Sequence, residues 1–175
     1  MRRLLLLRHG KSDWSAGDRP DDQRPLAPRG REAAKRIGVY ITKHGLTPEF
    51  VLCSTAARAR DTYELVAEAL TNEPKVAYEK TIYESGPNEL LAALKKVDAN
   101  IHTLLIVGHN PSMTEFADLL IAAGDVDLRQ SLIEKFPTAG LAVIDFPLDD
   151  WRRVHPRSGR LDRFITPRLL EATTD

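Results

Sequence analysis

The stretch Leu4-Leu5-Leu6-Leu7-Arg8-His9-Gly10 decides the fold. Residues 3–8 read as a β-strand with apolar residues facing both ways, the pattern of a central strand covered on both sides of its sheet. Such a strand hands a cation and an imidazole to the turn at its carboxyl end. Open α/β sheets bind their ligands at that edge. Gly10 suits the turn, because a residue without a side chain permits a sharp bend or the close approach of other backbone. The arrangement recurs downstream, where Leu104-Leu105-Ile106-Val107 runs into Gly108-His109-Asn110-Pro111. Two histidines, each at the end of an apolar strand, imply one site assembled from two strand ends.

Working outward, apolar strands alternate with amphipathic helices, which predicts an α/β layer fold with a mostly parallel sheet. Residues 11–27 are polar and read as a long loop. A helix is expected from Pro28, a favourable first helical residue, with Ala33, Ala34, Ile37, Gly38 and Ile41 as its buried stripe and Gly45 as its stop. Residues 50–53 form a second strand. Ser54 is expected to cap the next helix, whose apolar face is Ala59, Tyr63, Val66 and Leu70. A weaker strand at 75–78 and a helix at 87–97 follow, then the strand at 103–107. Asn110 and Pro111 look like the cap and first residue of a helix carrying Met113, Phe116, Ala117, Leu120 and Ile121, closed by Gly124. Residues 141–146 and 151–154 read as a hairpin at one sheet edge. From about Arg157 onward an irregular basic tail is expected.

The 175 residues fit one domain, 1–175, on a prior of about 100–200 residues per domain. Apolar residues make up 42% of the chain, enough for a full core. Twenty-five basic residues balance 25 acidic ones, so neither nucleic acid nor a membrane surface is indicated as a partner. The lone cysteine, Cys53, excludes an internal disulfide and fits a reducing cytosol. The apolar run before Arg8 falls short of the roughly 7–15 residues of an export segment. A cytoplasmic protein is expected.

The chemistry-bearing residues fall at strand ends or first helical turns. Arg58 lies in the first turn of the helix after the second strand, where backbone N–H groups and the helix dipole already favour an anion. Its forked donors match phosphate oxygens. A neutral imidazole is a competent nucleophile toward phosphorus, and surrounding cations stabilise the equatorial oxygens in flight. Arg8, His9, Arg58 and His109 together therefore suit phosphoryl transfer through a phosphohistidine enzyme. Any one of them alone would be an ordinary polar residue; the shared edge position argues against chance. Ser12 could contact phosphate or substrate. His44, His102 and His155 lack partners at metal-ligand spacing and read as solvent-facing, and Cys53 reads as a buried strand-end residue.

These segments resemble the histidine phosphatase superfamily, which includes the cofactor-dependent phosphoglycerate mutases. The resemblance runs through Arg8-His9-Gly10-Lys11-Ser12, Asp21-Asp22-Gln23-Arg24-Pro25-Leu26, Arg29-Gly30, Cys53 to Thr62, Val107 to Pro111, and Phe136-Pro137-Thr138-Ala139-Gly140. The Arg-Pro-Leu segment and the short length look most like SixA-type phosphohistidine phosphatases. The resemblance implies a three-layer α/β/α sandwich with a mainly parallel central sheet. It implies His9 as the nucleophile, with Arg8, Arg58 and His109 forming the phosphate pocket and Asp21 and Arg24 its rim. It implies no metal and no organic cofactor.

Two departures from the family pattern matter. Ala27 stands where relatives often place threonine, so the helix from Pro28 lacks a side-chain cap. The general acid has no strong motif: Glu84, in Tyr83-Glu84-Ser85-Gly86-Pro87, and Asp21 are the two candidates. A weak acid favours a labile P–N bond over an alkyl ester. The expected activity is thus a metal-independent phosphatase acting on protein phosphohistidine. A small-molecule phosphomonoesterase is the alternative, and a non-catalytic phospho-ligand module is disfavoured because nucleophile and pocket residues are all present.

Overall fold

Leu4, Leu5, Leu6 and Leu7 are all fully buried in the computed structural model, which describes residues 1–15 and 17–172. They lie in β1 (Arg2–Arg8), at the middle of a seven-stranded sheet. The other strands are β2 (Phe50–Ser54), β3 (Lys75–Glu79), β4 (Thr103–Gly108), β5 (Ile121–Gly124), β6 (Leu141–Phe146) and β7 (Gly159–Ile165). Their order is β3-β2-β4-β1-β6-β7-β5. Only β6 runs against the rest, pairing antiparallel with β1 on one side and β7 on the other. The sheet is therefore mixed and mostly parallel.

Alternate side chains of the central strands feed two separate cores. Leu4, Leu6, Leu104 and Ile106 pack with Leu90, Leu94, Met113 and Phe116 from α4 (Pro87–Lys95) and α5 (Ser112–Leu120). Leu5, Leu7, Leu105 and Val107 pack on the opposite face with Ile37, Ile41, Ala59, Tyr63 and Val66 from α1 (Pro28–Lys43) and α2 (Ala57–Ala67). Full burial of each leucine is worth roughly 1.5–3 kcal/mol, which holds β1 at the sheet centre with helices on both faces. α1 and α2 approach closely at Gly38, where a Cβ would lie 2.7 Å from the Val66 carbonyl oxygen. Gly45 ends α1 with φ +67°. Among the described residues no helix is long and apolar enough to cross a membrane.

The second half of the chain departs from the sequence expectations. The helix carrying Met113 and Phe116 stops at Leu120, and Ile121–Gly124 is the edge strand β5, paired with β7. Sheet pairing overrides a helical apolar pattern there. The short elements α3 (Lys80–Glu84) and α6 (Val126–Glu134) were not anticipated. Residues 151–153 form a 3-10 turn whose Trp151 is buried and donates its indole N–H to the Ile101 carbonyl at 2.8 Å. The antiparallel partner of β6 is instead β7, inside the region expected to be an irregular tail. Helix α7 (Pro167–Ala172) follows it. Gly159-Arg160-Leu161-Asp162 in fact alternates inward and outward, as a strand should.

Candidate active site

Three adjacent parallel strands end at one level. Arg8 of β1 pairs with Gly108 of β4, and Cys53 of β2 pairs with Val107. The next residues, His9, His109 and Ser54, are thereby brought together at the carboxyl edge. The His9 amide donates to the Gly108 carbonyl at 3.0 Å, and the two imidazole centroids lie 5.0 Å apart. The turn of residues 136–140 wraps the same strand end. Ala139, at φ 59°, donates its amide to the carbonyls of Arg8 and His9. The Phe136 carbonyl accepts from the Arg8 guanidinium at 2.9 Å and from the Asn110 amide group at 3.2 Å.

Two glycines let the strand end cross the start of α1. A Cβ on Gly10 would meet the Gly30 carbonyl oxygen at 2.7 Å, and one on Gly30 would meet the Lys11 carbonyl oxygen at 2.2 Å. Backbone therefore packs on backbone, and the Gly10 amide reaches Thr62 Oγ1 of α2 at 2.9 Å. Thr62 in turn donates to the Arg58 carbonyl. Arg58, second residue of α2, is buried in the site, whereas Arg60 is exposed over the Tyr78 ring on another face. Ser54 does not cap α2, whose N-cap is Ala56. Its hydroxyl accepts from the Ala56 amide and lies 2.7 Å from His109 Nε2. Asn110 does receive the Thr114 amide of α5, though the helix starts one residue later than expected.

The electrostatics suit an anion. His9 Nδ1 lies 2.6 Å from the Gly10 carbonyl, so Nδ1 carries the ring proton and Nε2 keeps a free lone pair. Burial, with the charges of Arg58, Arg8 and Arg24, pushes the His9 pKa down to about 4. Burial and the neighbouring His9 push His109 down to about 3. Both rings are neutral at pH 7. Four of the five buried side-chain N or O atoms that lack a partner among the described residues are here: Arg8 Nε, Arg24 Nε and Nη1, and His109 Nδ1. Orphaned buried donors are uncommon in folded proteins, and their clustering leaves N–H groups able to bond an anion.

The long loop supplies a rim. Ser12 is buried and pairs through its backbone with Leu26, closing the loop at its neck. Asp21 lies in a 3-10 turn and accepts from Arg24 at 2.6 Å, Arg58 at 3.0 Å and the Tyr83 hydroxyl at 2.6 Å. The Arg24 guanidinium stacks on Trp14, 3.3 Å from the ring centroid. The Tyr83 hydrogen bond, then the arginines, hold the Asp21 carboxyl down to about 2. Asp21 is thus held in its ionised form, as an acceptor for three donors. Glu84, the other candidate acid, stands apart from these groups. It is exposed at the end of α3 and lines a surface hollow with Lys80 and Glu89, while Tyr83 before it reaches the site. Nothing in the sequence marks Tyr83, whose hydroxyl reaches the site only because α3 brings it onto Asp21. Buried Cys53 has its thiol pKa raised by burial, and His44, His102 and His155 are exposed away from the site.

The chain is similar to known proteins in sequence and in fold. Residues 4–86 match the model of the histidine phosphatase superfamily (branch 1). An uncharacterized protein of Mycobacterium tuberculosis is 35% identical over 164 residues, covering 93% of this chain and all of the relative. The SixA structure from Nakamurella multipartitia superposes with a TM-score of 0.83 at 27% identity, covering 95% of this chain and 96% of that one. The SixA structure from Agrobacterium tumefaciens gives 0.78 at 29% identity, covering 95% and 99%. The phosphoglycerate mutase-like sheet, the strand-end histidines and these likenesses agree: the chain belongs to branch 1 of the histidine phosphatase superfamily.

Proposed function

We propose that the protein is a phosphatase that passes the phosphoryl group through His9 and acts on phosphohistidine carried by a protein. The observation that carries the first half is the state of His9. It is neutral, its Nδ1 is tied to the Gly10 carbonyl, and its Nε2 is free among three guanidinium groups. His9 Nε2 attacks phosphorus as the bond to the leaving group breaks, giving a phosphorylated His9. Water then attacks that phosphorus and releases inorganic phosphate, with the electron pair of the breaking P–N bond returning to Nε2. Arg8, Arg58 and His109 hold the equatorial oxygens in both steps. Asp21 and Tyr83 orient Arg58 and Arg24 from the rim. The water's attack needs no metal ion in this scheme.

The substrate class rests on what surrounds the leaving group. An alkyl ester oxygen must be protonated as it departs, and a poised acid contributes typically 10²–10⁴-fold. Asp21 is held ionised and Glu84 faces away, so neither candidate carboxyl is placed to supply that proton. An imidazole leaving group protonated in solution needs no such donor. The SixA likenesses lie in the same direction. Turnover of a phosphohistidine protein against a panel of alkyl phosphates, at one pH, tests the reading. A higher kcat/KM on the phosphohistidine protein is expected; a preference for any alkyl ester overturns it and makes the protein a small-molecule phosphomonoesterase.

A further inference from the structure

Arg8 serves two cavities. Its charge bears on both histidines, and it also lines a hollow of about 330 Å³ whose wall includes Pro137 and Thr138. Lys11, Arg29 and Lys135 line that hollow with it. A second hollow of about 670 Å³ shares Arg29, Lys135, Pro137 and Thr138 with the first and is also lined by Arg168 of α7. Arg8, Lys11, Arg29, Lys135 and Arg168 thus line two hollows that share part of their walls and together form one cationic groove. Among the described residues, Lys11, Arg29, Lys135 and Arg168 make no side-chain hydrogen bond or ion pair. Two carboxylates also line it, and neither pairs with these four: Glu134 accepts from Gln130 at 2.9 Å, and Glu171 lies 3.4 Å from Arg36.

We propose that this groove binds an acidic segment of the phosphorylated partner, with carboxylates flanking the phosphohistidine seated along Arg29, Lys135 and Arg168. The inference rests on the phosphohistidine reading and names the partner's chemistry. Unpaired like charges in a row repel one another, and an anionic chain relieves that repulsion while gaining charge-assisted bonds. Cations spread over two adjoining hollows favour a polypeptide over a compact molecule. A second phosphate on a small substrate would be satisfied beside Arg8 and would leave Arg168 unused. The overall neutrality of the chain sharpens the point, because 25 basic and 25 acidic residues cancel while this groove keeps an excess of cations. Rim charges of this kind act mainly on encounter and on KM, and salt screens them.

Two synthetic phosphohistidine peptides of equal length test the groove, one with glutamates flanking the phosphohistidine and one with serines. At low salt the glutamate peptide should show about tenfold higher kcat/KM, carried by KM, and about 0.5 M sodium chloride should remove most of the difference. The triple variant Arg29→Gln/Lys135→Gln/Arg168→Gln should lose the preference while turning over phosphoramidate as the parent does. Equal kcat/KM for the two peptides overturns the proposal, and this comparison needs no variant. A preference that survives the triple substitution also overturns it. If neither peptide is hydrolysed while phosphoramidate or an alkyl ester is, the phosphohistidine-protein reading fails by itself. The same pair made with phosphoserine then decides the groove, an acidic preference supporting it and equality overturning it. A small bisphosphate favoured over its monophosphate, with the peptides equal, would assign the groove to a second phosphate and overturn the polypeptide.

Discussion

The floor of the site and its rim are built on different principles. Arg8, His9 and His109 are fixed by the ends of β1 and β4; the backbone of Arg8 and His9 is bonded to Gly108, Ala139 and Gly140, and the His109 carbonyl accepts from the Met113 amide. Arg58 is fixed by the first turn of α2. The rim lies outside the sheet, on a loop tied at its neck by Ser12 and Leu26. Asp21, whose side chain is 53% exposed, is held by side-chain bonds from Arg24, Arg58 and Tyr83, and Trp14 is exposed beside it. In the proposed reaction, rigid backbone places the groups that would meet the phosphoryl group, and exchangeable side-chain pairs place those that would meet the rest of the substrate. The floor should therefore respond to substitution steeply and the rim gently.

The steepest response belongs to His9. His9→Ala should reduce turnover to background, and rapid quench with labelled substrate should trap acid-labile, base-stable phosphate on the parent and none on the variant. Retained turnover in His9→Ala would break the distinction outright. Arg58→Ala comes next. It removes a forked cationic donor from a buried place, and a loss in kcat of at least about 100-fold is expected, comparable to removing one oxyanion donor. Arg60→Ala, on the exposed face over Tyr78, should leave the rate unchanged; a larger loss there than at Arg58 would mean that α2 presents the other arginine.

Asp21→Asn probes the rim. It weakens the bonds to Arg24 and Arg58 without touching the strand ends. Because exposed ion pairs are worth about 0–1 kcal/mol, kcat/KM should fall by no more than about fivefold. A loss as deep as that of Arg58→Ala would make Asp21 part of the floor. The pH profile separates the two regions as well. The floor titrates at His9, near 4, whereas Asp21 stays ionised down to about 2. The acid limb of kcat/KM for the free enzyme should thus fall near pH 4, where His9 takes a proton. Stability follows the same sign. Both histidines have pKa values depressed in the folded state, so below about 6.5 the unfolded chain binds protons first and stability is lost as pH falls toward 4. His109→Gln should flatten the fall of Tm across that window.

The same contrast explains what the sequence could tell. Strands β1, β2 and β4 are covered on both faces, so they read as unbroken apolar runs ending in histidine or serine, and the floor was legible from them. The outer strands were not. β7 mixes Arg160, Asp162 and Arg163 with Leu161 and Phe164, and its charge resembled a tail. β5 is four residues long and continues a helical apolar pattern, so only its pairing with β7 marks it as a strand. On the rim, Asp21 and Arg24 could be found from the Asp-Asp-Gln-Arg-Pro-Leu segment, but their bonds to Tyr83 and Trp14 depend on how the loop folds back over α2. Ser54 shows the converse: its place before a helix suggested a cap, while the level of three strand ends turned it toward His109.

Glu84→Gln should have the smallest effect, and it tests the substrate assignment most sharply. Tyr83 and Glu84 are neighbours in α3, and successive residues on a helix point in directions about 100° apart, given 3.6 residues per turn. Tyr83 faces Asp21 and His109, which turns Glu84 toward Lys80 and Glu89. With no role at the leaving group, Glu84→Gln should keep kcat/KM within about twofold on phosphohistidine and alkyl phosphate alike, since exposed substitutions change little. A selective loss on alkyl phosphates would mean that α3 rotates in the substrate complex to bring the carboxyl inward. Glu84 would then be the acid, and the ester would be the better-matched substrate. Tyr83→Phe measured beside it gives the control. It removes the hydroxyl bonded to Asp21 and should act on both substrates equally, by no more than the loss seen in Asp21→Asn.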